Sequence, residues 1–145
     1  MKITDTRFGD VEYNPEEVVR FPHGLVGFEH LRDFIVMPNK KQGPLFWIQS
    51  VEDPAIAFIL TDPTNFFLDY KVVPEQSECE LLGAESPDQI YVLSIVTVSP
   101  EKNITLNLAA PVLFNPETRQ AMQVILEGTS FSPQTPLPTS QQENG

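Results

Sequence analysis

Residues Leu45–Leu60 hold two strand-length apolar runs separated by Val51-Glu52-Asp53-Pro54, and this stretch constrains the fold more than any other. Acidic residues beside a proline suit a hairpin loop of about 3–5 residues, so the segment predicts a β-hairpin. Neither arm alternates cleanly. Phe46 and Ile48 fall on one face of the first arm, Leu45 and Trp47 on the other. In the second arm, Ile56, Phe58 and Leu60 oppose Ala55, Ala57 and Ile59. A strand that is apolar on both faces is usually covered on both. The hairpin is therefore expected at the centre of the fold, with Glu52 and Asp53 at a wet tip.

The rest of the chain supports a mainly β fold. An interior proline costs a helix about 3 kcal/mol, and this chain of 145 residues has 14 prolines. Residues 2–8 and 11–13 read as a polar hairpin at a sheet edge. Val18–Phe21 and Phe34–Met37 read as short strands, Phe28–Phe34 as a short helix, and Tyr70–Val73 as a strand. Residues 74–83 open with a proline and acids and close with a glycine, the arrangement expected of a helix. Ile90–Val98 is apolar on both faces. Ile104–Phe114 alternates with period 2 and reads as one strand, although Pro111 requires an edge or a bulge there. Gln120–Leu126 is the last strand. The expected architecture is a small antiparallel β-barrel-like or sandwich domain over residues 1–130, with one or two short helices. Residues 131–145 are expected to form a partly disordered Pro/Ser/Gln-rich tail.

The formal charge is −11, with the acids spread along the chain. Such a surface repels phosphate backbones, which argues against direct nucleic-acid binding and favours a basic protein partner. It also favours a monomer. One cysteine, Cys79, excludes an intrachain disulfide. Residues 1–5 lack the apolar stretch of a secretory signal, and no run approaches the ~18 apolar residues of a membrane span. A cytoplasmic location is expected.

Catalytic patterns are sparse. The sequence contains no GxGxxG, P-loop, HExxH, nucleophile elbow or CxxC. His23 and His30 lie near Glu29 and Asp33, but two histidines in a bend are weak grounds for a metal site. Cys79 has no histidine nearby and sits among acids, a poor setting for a nucleophile. Glu52, Asp53 and Asp62 could be imagined as a hydrolytic carboxylate pair, yet acids beside prolines in β-turns are ordinarily turn formers. No cofactor, metal or catalytic residue is expected. Phe66-Phe67-Leu68-Asp69-Tyr70 differs: three consecutive bulky apolar residues cannot all point inward in a strand. Either one of them joins an acid-rimmed protein-binding patch, or an irregular bend buries them all. The candidate partner-binding residues are Glu52, Asp53, Asp62, Phe66, Phe67, Asp69 and Tyr70.

Several segments, in order and at matching spacing, carry a resemblance. They are Arg7-Phe8-Gly9, Phe21-Pro22-His23-Gly24-Leu25-Val26-Gly27-Phe28, Leu45–Val51, Ala57-Phe58 with Asp62-Pro63, Asn107–Val112, and Gln123-Val124-Ile125-Leu126. Through them the chain resembles the FliW family of bacterial flagellar assembly factors, from about Ile3 to Leu137. Val26 departs from the family's usual proline, and the Pro- and Gln-rich tail is not typical. The resemblance implies a non-enzymatic barrel-like protein that binds newly made flagellin in the cytoplasm and antagonises the translational regulator CsrA, thereby coupling flagellin level to its translation. A small-ligand-binding barrel is the alternative. It would need a cavity, and the large Phe and Trp side chains of the central hairpin are expected to leave little room for one.

Overall fold

The computed structural model describes residues 1–37 and 44–138. Its strands are β1 (Lys2–Thr6), β2 (Gly9–Glu12), β3 (Val18–Arg20), β4 (Asp33–Met37), β5 (Leu45–Ser50), β6 (Ala57–Thr61), β7 (Tyr91–Val98), β8 (Ile104–Leu106), β9 (Val112–Asn115), β10 (Gln120–Gln123) and β11 (Thr135–Pro136). The α-helix among the described residues, α1, spans Gln76–Leu81.

A barrel forms because β7 pairs twice. Its second half lies beside β6, with Thr61 opposite Ser94, and its first half lies beside β9, with Tyr91 opposite Phe114. The ring β7-β6-β5-β4-β3-β10-β9 thus closes on itself, which leaves no open edge within it. Neighbours in the ring are antiparallel except β3 and β10, which meet in parallel through Arg20 and Gln120. β8 and β11 extend the sheet outside the ring from the far end of β7.

Strand alternation then sorts the apolar residues. Val19, Phe34, Ile48, Leu60, Val112 and Ala121 face the lumen and form its buried core. The opposite faces are covered from outside in three places. The β1–β2 hairpin lays Ile3 and Tyr13 over Ile35 of β4. Helix α1 sets Cys79 and Leu82 against Ile90 and Leu113. Residues 66–72 and Leu137 cover Val96 and Leu106. The central hairpin is accordingly buried on both sides: Ile48 and Leu60 point inward, while Leu45 and Ile59 pack beneath the outer cover. Trp47 also points outward. Phe8 meets its ring edge-on at 5.6 Å, and the Arg7 guanidinium lies 4.1 Å from its centroid.

Four expectations change. The expected helix Phe28–Phe34 does not form: turns lead to β4, which begins at Asp33, with Phe28 N donating to Leu25 O and Leu31 N to Phe28 O. That path sends Phe28 and Leu31 into the lumen. Tyr70–Val73 is not a strand, because Tyr70 turns inward and donates its hydroxyl to Leu108 O at 2.8 Å. The run 104–114 splits into β8 and β9. Asn107 Oδ1 accepts from Ala110 N, and Pro111 has no N–H to continue a ladder. The proposed tail does not part from the sheet at residue 130: Thr135 and Pro136 pair with β8, and Leu137 is buried. Residues 139–145 of the expected partly disordered tail lie outside the described residues.

Candidate functional site

The seven candidate residues do not converge. Glu52 and Asp53 lie in the turn between β5 and β6, while Asp62 follows the other end of β6. Five strand residues between them span roughly 15–17 Å. The barrel therefore presents two separate faces.

At the first face the hairpin tip is locked from within. Gln49 is fully buried, and its Nε2 donates to the carbonyl oxygens of Pro54 at 3.2 Å and Ile56 at 3.1 Å. Ser50 Oγ accepts from Asp53 N, and Asp53 Oδ1 accepts from Ala55 N at 3.0 Å. Glu52 reaches sideways: its carboxylate accepts from Arg32 N at 3.0 Å and from Asp33 N at 3.2 Å. Glu52 is exposed as expected, but Asp53 is half-buried, and both carboxylates already serve the backbone. They are turn formers, as their proline neighbour suggested. Gln49 was missed, because a polar residue within an apolar run carries no sign that it will fasten the next turn.

This end of the barrel is also plugged. Phe21, Leu25, Phe28 and Leu31 come from the Gly-rich bend and fill the lumen beside Phe34, Ile56 and Phe58. Phe28 meets Phe58 edge-on at 5.1 Å, and Phe21 meets Phe34 at 5.3 Å. Gln123 of β10 holds the bend in place by accepting from Val26 N at 2.9 Å. A proline at position 26 could not donate this bond.

The second face surrounds the other barrel end. Asp62 Oδ1 accepts from both the N–H and the hydroxyl of Thr64, fixing a 3-10 turn over Pro63–Asn65. Phe66 and Phe67 are half-buried against the outer core, and Tyr70 is buried beneath Phe131, whose ring lies 4.9 Å away. Burial pushes the Tyr70 hydroxyl up to about 12. Tyr70 is thus an anchor of the segment and offers no contact surface. Leu68, between the candidates, is the side chain presented to solvent, at 87% exposure. Asp69 is exposed and makes no hydrogen bond or ion pair among the described residues.

The lumen is not filled at this end. A wholly apolar cavity of about 300 Å³ opens between Val36, Phe46, Tyr91 and Phe114, with Ala121 and Leu60 deeper inside. The aromatic residues of the hairpin leave this room because Trp47 faces outward and Phe46 stands at the rim. A shallower groove of about 240 Å³ adjoins it across the Tyr91 ring and is lined by Asp62, Lys71 and Val72, among others.

His23 and His30 are both exposed, and Cys79 is buried under α1. No group of three or more His, Cys, Asp or Glu residues among the described residues could hold a metal ion. No helix there is long and apolar enough to cross a membrane.

The class that emerges is a small, acidic, closed seven-stranded β-barrel that offers separate surfaces at its two ends. Comparison with known proteins makes this specific. The family described as FliW protein matches residues 2–137. The flagellar assembly factor FliW of Syntrophotalea carbinolica is 61% identical over 133 residues, covering 92% of this chain and 95% of that protein. Flagellar assembly factor FliW 2 of Desulfotalea psychrophila is 56% identical, covering 96% and 92%. A crystal structure of the flagellar assembly factor FliW superposes with a TM-score of 0.85 at 30% identity, covering 95% of this chain and 98% of that one. The chain belongs to the FliW family.

Proposed function

We propose that this chain is a cytoplasmic flagellar assembly factor that works by binding proteins. Its partners are newly made flagellin and the RNA-binding translational regulator CsrA. Flagellin and CsrA compete for it, so that flagellin accumulation releases CsrA and lowers flagellin translation. The observation that carries this reading is the 61% identity, over nearly the full length of both chains, to a protein named as a flagellar assembly factor.

The charge supports the CsrA half. A regulator that grips RNA must present positive potential, and a neighbour of charge −11 would draw it in and repel RNA. The candidate contact residues fall on two faces: Glu52 and Asp53 in the turn at one end, and Asp62, Phe66, Phe67 and Asp69 with exposed Leu68 at the other. Tyr70 contributes by holding that second face in shape.

The test is titration calorimetry with purified flagellin and CsrA, at low and high salt. Both partners should bind this chain, each should weaken the other, and CsrA affinity should fall as salt rises. Asp69→Lys is the cleanest charge reversal, because the Glu52, Asp53 and Asp62 carboxylates also hold turns together. It should weaken CsrA binding without changing the melting temperature. Failure of either protein to bind would remove the reading, and CsrA affinity indifferent to salt would remove its electrostatic part.

A further inference from the structure

The cavity at the unplugged barrel end has no role in the function proposed above. Its walls come from all seven strands of the ring, with Phe21 of the plug as the one lining residue outside them. Every lining side chain is aliphatic or aromatic, and Tyr91 at the rim contributes the single hydroxyl. Tyr91 is 58% exposed and Val36 42%, so the mouth itself is an apolar surface open to water. Nothing in the remaining chain is suited to fill it. Residues 38–43 read PNKKQG and residues 139–145 read TSQQENG, with no aliphatic or aromatic side chain beyond one proline.

We propose that this end of the barrel is a binding site for a small uncharged apolar molecule, a short aliphatic chain or a one- or two-ring aromatic compound. The volume fits: a dry apolar cavity of about 150 Å³ holds one benzene, and ligand pockets begin near 300 Å³. The walls fit as well, because no buried polar group would be left unpaired by a hydrocarbon and none is available for a polar ligand. Among the described residues the lining holds no cationic side chain, so a carboxylate head would be desolvated there without a partner, a far larger cost than for an alcohol or an unsubstituted ring.

The experiment is titration of the full chain with the neutral fluorescent probe N-phenyl-1-naphthylamine, followed by displacement with hexanol, octanol and decanol and with octanoate. Saturable binding of one probe per chain is expected. Affinity for the alcohols should rise about fourfold per methylene until the cavity is full. Octanoate should compete at least fivefold more weakly than octanol. Two variants place the site. Ala121→Leu fills the cavity floor and should cut probe affinity at least tenfold. Val36→Glu puts a carboxylate at the exposed mouth, where folding should tolerate it, and should cut affinity at least fivefold with an unchanged melting temperature. Absence of saturable binding, equal competition by octanol and octanoate, or a folded Val36→Glu chain that binds as the parent does would each overturn the proposal. None of these outcomes depends on flagellin or CsrA.

Discussion

The two ends of one barrel are built from the same strands and finished in opposite ways. At one end an irregular segment, Phe21–Leu31, folds back and drives Phe21, Leu25, Phe28 and Leu31 into the lumen. At the other, Val36, Phe46, Tyr91 and Phe114 surround an empty space. Strand pairing does not cause this difference, because the ring is closed at both levels. It arises from the connections. The one between β3 and β4 brings four large apolar side chains. The turn after β6 brings Asp62, Thr64 and Asn65, whose polar groups stay outside. A barrel of this size is therefore held together by its plugged end and free to bind at its open end.

That contrast can be broken most forcefully at the plug. Phe21→Ala should cost about 3–5 kcal/mol, read from the denaturant midpoint, because Phe21 is 1% exposed and its removal leaves a cavity. Val36→Ala at the open mouth should cost less than about 1 kcal/mol. Equal effects would mean that both ends carry the core alike.

The bend that carries the plug gives a second, finer test. Gly24 has φ +69°, and a Cβ there would stand 2.5 Å from the Glu29 backbone. Gly27 has φ +85° but open space around it. Gly24→Ala should therefore destabilise by about 3 kcal/mol or more, and Gly27→Ala by only the roughly 1–2 kcal/mol of a left-handed conformation. The melting temperatures of the two variants separate clash from backbone preference.

Glu52 ties the hairpin tip to the strand that follows the plug. Glu52→Ala removes charge-assisted bonds to two backbone N–H groups and should cost about 1.5–3 kcal/mol. Faster amide hydrogen exchange at Arg32 and Asp33 would be the direct sign.

The smallest effect belongs to Tyr70, which anchors the cover near the open end. Tyr70→Phe should cost about 0.5–1.5 kcal/mol at neutral pH, since Leu108 O loses its donor. Its pH dependence has a definite sign. The folded value, about 12, lies above the ordinary 10, so the folded protein disfavours the phenolate. That contribution is complete below pH 10 and is lost as pH rises from 10 through 12. Alkaline melting curves of the parent should fall more steeply there than those of Tyr70→Phe.

Much of this molecule was legible before folding. The two-sided apolar arms of the central hairpin required cover on both faces, and they have it. Helix α1 lies where its opening acids and closing glycine put it, with Gly83 N donating to Glu80 O and Ala84 N to Cys79 O. The alternation of 104–114 holds residue by residue, yet the run is not one strand. Leu106 and Leu108 pack in the outer core with Tyr70, whereas Val112 and Phe114 enter the lumen. Period 2 records that a side is apolar, and the break at Asn107–Pro111 changes which core that side meets. For the candidate site, the acids of the turns were recognisable as turn formers, but their separation across β6 was not, because distance along a chain does not state which end of a barrel a turn occupies.

The sequence by itself determined the β class, the central hairpin, its acidic turn and the family, since each is carried by local pattern and ordered motifs. Tertiary structure alone decided that β7 would pair on both halves and close the ring. It also decided that Phe28 and Leu31 would plug one end, that Trp47 would face out, and that the other end would stay open. These outcomes depend on which apolar surfaces meet across the closed sheet, and burial is a property of the whole barrel that no single segment contains.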